Sequence, residues 1–130
     1  MNIAEKKNEI STFEDLEVWK EGMRITIKIY EILKSCKDYG LKEQMQRAAV
    51  SIPSNIAEGF ERQTNKEFVQ FLYIAKGSSG ELRTQMYIAK ELKFITNEDF
   101  TLIYTKIYTK LKQVSAMIAN LIKTRKNNFK

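Results

Sequence analysis

The sequence predicts an all-α protein, an antiparallel up-down-up-down four-helix bundle. Three observations lead there. Apolar residues recur at helical spacing through four long segments. Each segment is bounded by a capping or turn signal. No segment carries the period-two alternation of a strand. Long amphipathic segments with short connections fold as antiparallel neighbours. The 130 residues suit one domain, and 43% apolar residues provide a real core. The bundle is expected over 13–126, between a flexible polar tail at 1–12 and a basic tail at 127–130.

The first helix is predicted over FEDLEVWKEGMRITIKIYEILKSCK, capped by Thr12 or Asp15. Leu16, Trp19, Met23, Ile27 and Tyr30 line one face. At about 100° per residue, Val18, Ile25, Ile29 and Ile32 cluster on the far face. A helix with two apolar faces needs two partners. One face enters the core, and the other is covered by a second helix of the chain or by another subunit. DYG at Asp38–Gly40 reads as a turn, with Gly40 stopping the first helix.

The second helix is expected from Leu41 to Glu58, ended by Gly59. Met45, Ala48 or Ala49, Ile52, Ile56 and Phe60 keep helical phase across Pro53, the only proline. Proline lacks the N–H that would reach the carbonyl of Ala49, and its ring clashes there, at about 3 kcal/mol in a regular helix. Because the phase continues, the expectation is a kink rather than a stop. Ser51, Ser54 and Asn55 flank the proline and are expected to satisfy freed backbone groups.

Thr64 and Glu67 form a T-x-x-E capping pattern that starts the third helix, expected to run to Lys93. Phe68, Leu72, Ala75, Ser79, Leu82, Met86 and Ala89 alternate four and three apart, a seam suited to left-handed packing. Gly77 and Gly80 lie in mid-helix, where each costs about 1 kcal/mol relative to alanine. The seam keeps its phase across them, so close approach of a neighbouring backbone is expected there. Thr96 caps the fourth helix, whose stripe is Ile103, Ile107, Leu111, Val114, Ile118 and Leu121, fraying near Lys126.

Polar residues form two lines. Arg47, Ser51, Asn55, Glu58 and Arg62 run down the second helix, and Ser78, Glu81 and Gln85 down the third. Buried charges persist mainly when paired, so Arg47, Asn55, Glu58 and Glu81 are expected to form an interhelical structural network, for example Arg47 with Glu81. The competing reading is a carboxylate site on Glu58 and Glu81.

Three runs occur in order: FEDLEVW at Phe13–Trp19, AAVSIPSNIAEG at Ala48–Gly59 and GSSGEL at Gly77–Leu82. They resemble the four-helix bundle proteins encoded in intervening sequences of bacterial 23S ribosomal RNA, over about Phe13 to Ile95. Members of that family resemble, in turn, the accessory variability protein of diversity-generating retroelements, which works with a reverse transcriptase and nucleic acid. The resemblance implies a homo-oligomer, a pentameric barrel of four-helix bundles. It speaks to fold and assembly more than to function, and it supports reading the two-faced first helix as partly intersubunit.

The charge balance points to anionic partners. Lys+Arg 22 against Asp+Glu 16 leaves +6. From Thr101 onward the chain carries Lys106, Lys110, Lys112, Lys123, Arg125, Lys126 and Lys130 and no acid. The first six are the candidate nucleic-acid-binding residues. Tyr104 and Tyr108 lie near Lys106, where bases could stack. No element resembles a groove-reading helix with base-edge residues, so binding through phosphates with little sequence specificity is expected.

There is no histidine, which removes Ser-His-Asp, Cys-His and Glu-x-x-His chemistry. No catalytic residue, metal ligand or cofactor is expected. The lone Cys36 forms no internal disulfide. The polar N-terminus lacks a signal-peptide core, and no run approaches the ~20 apolar residues of a membrane span. The expected protein is therefore cytoplasmic. It is expected to bind RNA or DNA, as an accessory to a nucleic-acid enzyme. The alternative is a protein-interaction scaffold that binds no nucleic acid.

Overall fold

The computed structural model describes residues 10–94 and 98–127, with the side chains of 98–103 left out. The expected Thr96 cap, the packing of Ile103 and most of both tails lie outside the described residues. Among the described residues there are four α-helices: α1 (Glu17–Ile32), α2 (Tyr39–Phe60), α3 (Asn65–Glu91) and α4 (Glu98–Lys126). No described residue is in a strand. No described helix is long and apolar enough to cross a membrane. Among the described residues α1 packs on α2 and α4, and α3 packs on α2 and α4. Helices α1 and α3 share no close approach and therefore stand at opposite corners.

The first element is split. Phe13–Asp15 forms a 3-10 turn, and Leu16 is extended before α1 begins. The Asp15 carboxylate accepts from the Ser11 and Thr12 N–H groups at 3.0 and 3.1 Å, so Asp15 closes the turn beside Thr12. Those backbone bonds, that of Thr12 foremost, hold its carboxyl below the usual range.

The two faces of α1 divide with exceptions: Leu16 of the first face is buried and Trp19 half-buried, while Ile32 of the far face is only half-buried. Val18, Ile25 and Ile29 enter the core with Leu16 and Leu33, while Met23, Ile27 and Tyr30 are exposed. Gly22 decides this. It lies on the Val18–Ile29 side, and a Cβ there would stand 3.3–3.4 Å from Ile52 and Pro53. Only the side without a Cβ brings the α1 backbone this close to α2.

Pro53 sits inside an unbroken α2. The carbonyl it cannot serve is that of Ala49. The Thr26 hydroxyl of α1 donates to it at 3.0 Å, sharing its proton with the Gly22 carbonyl at 2.8 Å. The sequence points to the residues flanking Pro53 for this role. Asn55 Nδ2 instead donates to the Ser51 carbonyl at 2.8 Å, and the Ser51 hydroxyl pairs with Ser78 of α3 at 2.8 Å. The orphaned acceptor is met from another helix, which local sequence does not show. Thr26→Val keeps the shape and removes the donor. It is expected to destabilise the chain by about 1 kcal/mol, read as a lower melting temperature.

Helix boundaries also shift. Helix α1 ends at Ile32, short of Lys37. Gly40 does not stop it. Asp38 accepts from the Leu41 N–H at 3.0 Å and draws Gly40 into the first turn of α2. Gly59 does not end α2 either. It is buried in the last turn, against Phe68 and Phe71 of α3. Close approach is therefore found at Gly59. At Gly77 no atom lies within 4 Å of the Cβ position, and at Gly80 only an Arg83 side-chain nitrogen does, at 3.9 Å. The two glycines of α3 border open space, because they face away from the seam.

The seam itself holds. Phe68, Leu72, Ala75, Ser79, Leu82, Met86 and Ala89 are all buried. Thr64 caps α3 by accepting from the Glu67 N–H at 3.2 Å. The helix closes at Leu92, where Lys93 adopts left-handed backbone (φ 56°) and lets the Phe94 N–H reach the Ala89 carbonyl. On α4, Ile107, Leu111, Val114 and Ile118 are buried. Ile122 continues the stripe, and the expected Leu121 is half-buried.

Candidate nucleic-acid interface

Helix α4 lays Ile107 and Leu111 into the core, which leaves Lys106 and Lys110 one position away at the border of the buried stripe. Across the seam, α1 buries Ile25 and likewise leaves Arg24 and Lys28 beside it. The four cations rim a groove of about 320 Å³ floored by Ile25 and Ile107. Arg24 and Lys28 are four residues apart on one helix, as are Lys106 and Lys110 on the other. Each pair therefore stacks on one helix face.

Two acids temper this charge. Glu21 Oε1 accepts from Arg24 Nη1 at 2.7 Å and lies 3.9 Å from Lys110 Nζ. Its side chain is 19% exposed. Lys28 pairs with Glu31 at 3.3 Å, with both ends in solvent. Exposed pairs of this kind are worth ~0–1 kcal/mol and exchange readily for another anion. Lys106 makes no ion pair with a described residue. The groove therefore joins a positive rim to an apolar floor, an arrangement for an anion that also carries apolar surface.

The other predicted cations lie elsewhere. Lys112 is held 5.8 Å over the Tyr108 ring. Arg125 donates to Asn65 Oδ1 at 3.3 Å and stacks 5.2 Å over Phe68. Lys126 donates to the Tyr73 hydroxyl at 3.4 Å. Lys123 is exposed. Arg62, paired with Glu58 at 3.0 Å, lines a second cleft with Arg125 at the α2–α3 turn. Lys106 and Lys126 are separated by about 30 Å of helix. Arg125 and Lys126 therefore lie apart from the groove of Lys106 and Lys110, and Lys112 belongs to neither cleft.

Base stacking on Tyr104 is ruled out by its burial, 7% exposed. That burial also pushes its hydroxyl above the usual tyrosine range. Tyr108 is half-buried, edge-on to Tyr87 and hydrogen-bonded to it. That bond raises the Tyr87 hydroxyl.

The expected polar network is mostly local. Arg47 pairs with Glu43 of its own helix at 2.6 Å and does not reach Glu81. Glu58 binds Arg62, and Glu81 accepts from Gln85 at 3.3 Å. Long charged side chains on α2 and α3 find partners one turn away in solvent, which avoids burying charge. Only Asn55, through Ser51 to Ser78, connects the two helices. Glu58 and Glu81 each serve their own helix and are not brought into one site. No group of three or more potential metal-ligating side chains occurs among the described residues.

Arg24 and Lys28 were not among the sequence candidates. Their i, i+4 spacing beside an apolar stripe is visible in the sequence. Their meeting with Lys106 and Lys110, some eighty residues away, is not.

A four-helix protein with a cation-rimmed groove between its first and last helices is the class that fold and site define. The chain belongs to the 23S rRNA-intervening sequence protein family, whose model matches residues 14–120. A solved structure of a protein of unknown function from the S23 ribosomal protein family of Bacteroides thetaiotaomicron is similar, with TM-score 0.72 and 23% identity. The match covers 82% of this chain and 98% of that one. At that identity the likeness shows the fold alone. No curated protein matches the chain.

Proposed function

We propose that this protein is a non-catalytic, oligomeric helical bundle that binds RNA or DNA through backbone phosphates with little sequence specificity, as an accessory to a nucleic-acid enzyme such as a reverse transcriptase. The observation that carries the reading is the convergence of Arg24, Lys28, Lys106 and Lys110 on one groove. Phosphates meet the rim, and the apolar floor accommodates sugar or base surface. No exposed aromatic lines the groove, so contact with the backbone dominates.

The finer architecture in this reading is an up-down-up-down bundle with α2 bent at Pro53. Facing pairs support the antiparallel order: Gly22 with Pro53, Ser51 with Ser78, and Asn65 with Arg125. Copies assemble into a homopentameric barrel, as the family resemblance implies, and the groove repeats with each copy.

Titrating labelled single-stranded RNA and DNA at two salt concentrations tests the function. Four phosphates neutralised on a single strand give a slope near −2.8, a loss of about fiftyfold between about 50 and 200 mM salt. Absent or salt-independent binding rejects the reading. The exposed apolar faces of α1 and α3 favour the scaffold alternative. A protein partner that survives nuclease treatment, with no nucleic acid bound, would establish that alternative.

A further inference from the structure

Two apolar surfaces remain outside the core. On α1, Met23, Ile27 and Tyr30 share one side and are exposed; Ile27 is 53% open. On α3 and its C-cap, Ile74, Ile88 and Leu92 do the same; Ile74 is 51% open. Gly77 falls between Ile74 and Ile88 on that side, and no atom lies within 4 Å of its Cβ position. The α3 face is thus two apolar ridges with a notch, while the α1 face is a row of large knobs.

The charges around the faces differ in sign. Lys34 and Lys20, the latter paired in solvent with Glu17 at 3.3 Å, bracket the α1 row. Glu81 lies within the α3 row and Glu91 about a quarter turn to its side, and neither makes an ion pair with a described residue. Pairing α1 with α1 about a two-fold axis would set lysine against lysine, and pairing α3 with α3 would set glutamate against glutamate. Like charges oppose both. Pairing α1 with α3 sets lysine against glutamate and places knobs over the notch. Because α1 and α3 occupy opposite corners, one copy can use both faces at once. A contact between two different faces repeats from copy to copy and closes only as a ring.

We infer that the Met23–Ile27–Tyr30 face of α1 docks on the Ile74–Gly77–Ile88 face of α3 in a second copy of this chain, head to tail. The inference rests on the proposed oligomer and adds which surfaces meet. Each copy then covers one α1 face and one α3 face. Arg24 and Lys28, on the α4-facing flank of the same helix, stay clear of the contact.

The test uses Ile27→Asp and Ile74→Asp full-length chains, with far-UV circular dichroism to verify folding and light scattering to read mass. Each variant alone is expected at the one-chain mass of 15.2 kDa, while wild type is larger. Mixed 1:1, they are expected to form a dimer and nothing larger, since one intact α1 face and one intact α3 face remain. The gentler Tyr30→Ser and Ile88→Ser pair gives the same pattern should an aspartate variant fail to fold. A wild-type oligomer whose variants keep full size, or whose mixed variants stay monomeric, overturns the head-to-tail contact and leaves the oligomer standing. A wild type that is monomeric overturns both.

Discussion

Alanine at Gly59 is expected to destabilise the protein by about 2 kcal/mol and lower its melting temperature by roughly 8 °C. The sign is not obvious, because alanine in place of a helical glycine gains about 1 kcal/mol of helix propensity. Packing decides it. The new Cβ would lie 2.6 Å from Phe71 Cβ, 2.9 Å from Phe68 Cδ1 and 3.2 Å from the Phe68 carbonyl. Phe71 Cβ is tied to the α3 backbone, and a side-chain rotation cannot move it. Helix α3 must shift bodily, at the upper end of overpacking costs, about 3 kcal/mol. The same substitution at Gly77 meets no atom within 4 Å and should keep its propensity gain in the dilute chain. Thermal melts of the two variants, moving in opposite directions, check the argument. A Gly59→Ala melt at or above wild type refutes it.

Reversing Lys106 and Lys110 to glutamate is expected to weaken nucleic-acid binding about a hundredfold, as two charge-assisted contacts of about 1.5 kcal/mol each would require. The salt slope should fall by about 1.4 on a single strand. Lys123→Glu with Lys126→Glu, the same change in charge at the far end of α4, should have a much smaller effect. Lys126 already donates to the Tyr73 hydroxyl, and that end lies about 30 Å of helix from the groove. Filter binding or anisotropy measured on both double variants separates a defined groove from a diffuse positive charge. Equal losses from both pairs would rule out the groove. Unchanged circular dichroism is expected, since Lys106 and Lys110 are exposed.

Short-range patterns were dependable guides here. The α3 seam from Phe68 to Ala89 and the α4 stripe from Ile107 to Ile118 are buried as their spacing implies. Thr64 caps α3 where T-x-x-E places it. Each is a property of one helix and its periodicity. The three ordered runs at Phe13–Trp19, Ala48–Gly59 and Gly77–Leu82 also sufficed to place the chain in its family. The first helix shows where such patterns stop. Both its faces are apolar, so periodicity cannot choose between them, and the Gly22–Pro53 approach does. The glycines behave similarly. The sequence reads Gly59 as a helix end and Gly77 as a close approach, but Gly59 is pressed against α3 and Gly77 faces open space.

Sequence by itself determined that four helices form, where most of their buried faces lie, and to which family the chain belongs. Those outcomes depend on residues three or four positions apart, which meet as soon as a helix exists. Only the tertiary structure decided that Thr26 completes the hydrogen bonding at Ala49, that Arg125 turns to Asn65 and Phe68, and that Arg24 and Lys28 join Lys106 and Lys110. Those outcomes depend on which helix stands next to which and in what register, and packing of the shared core sets both.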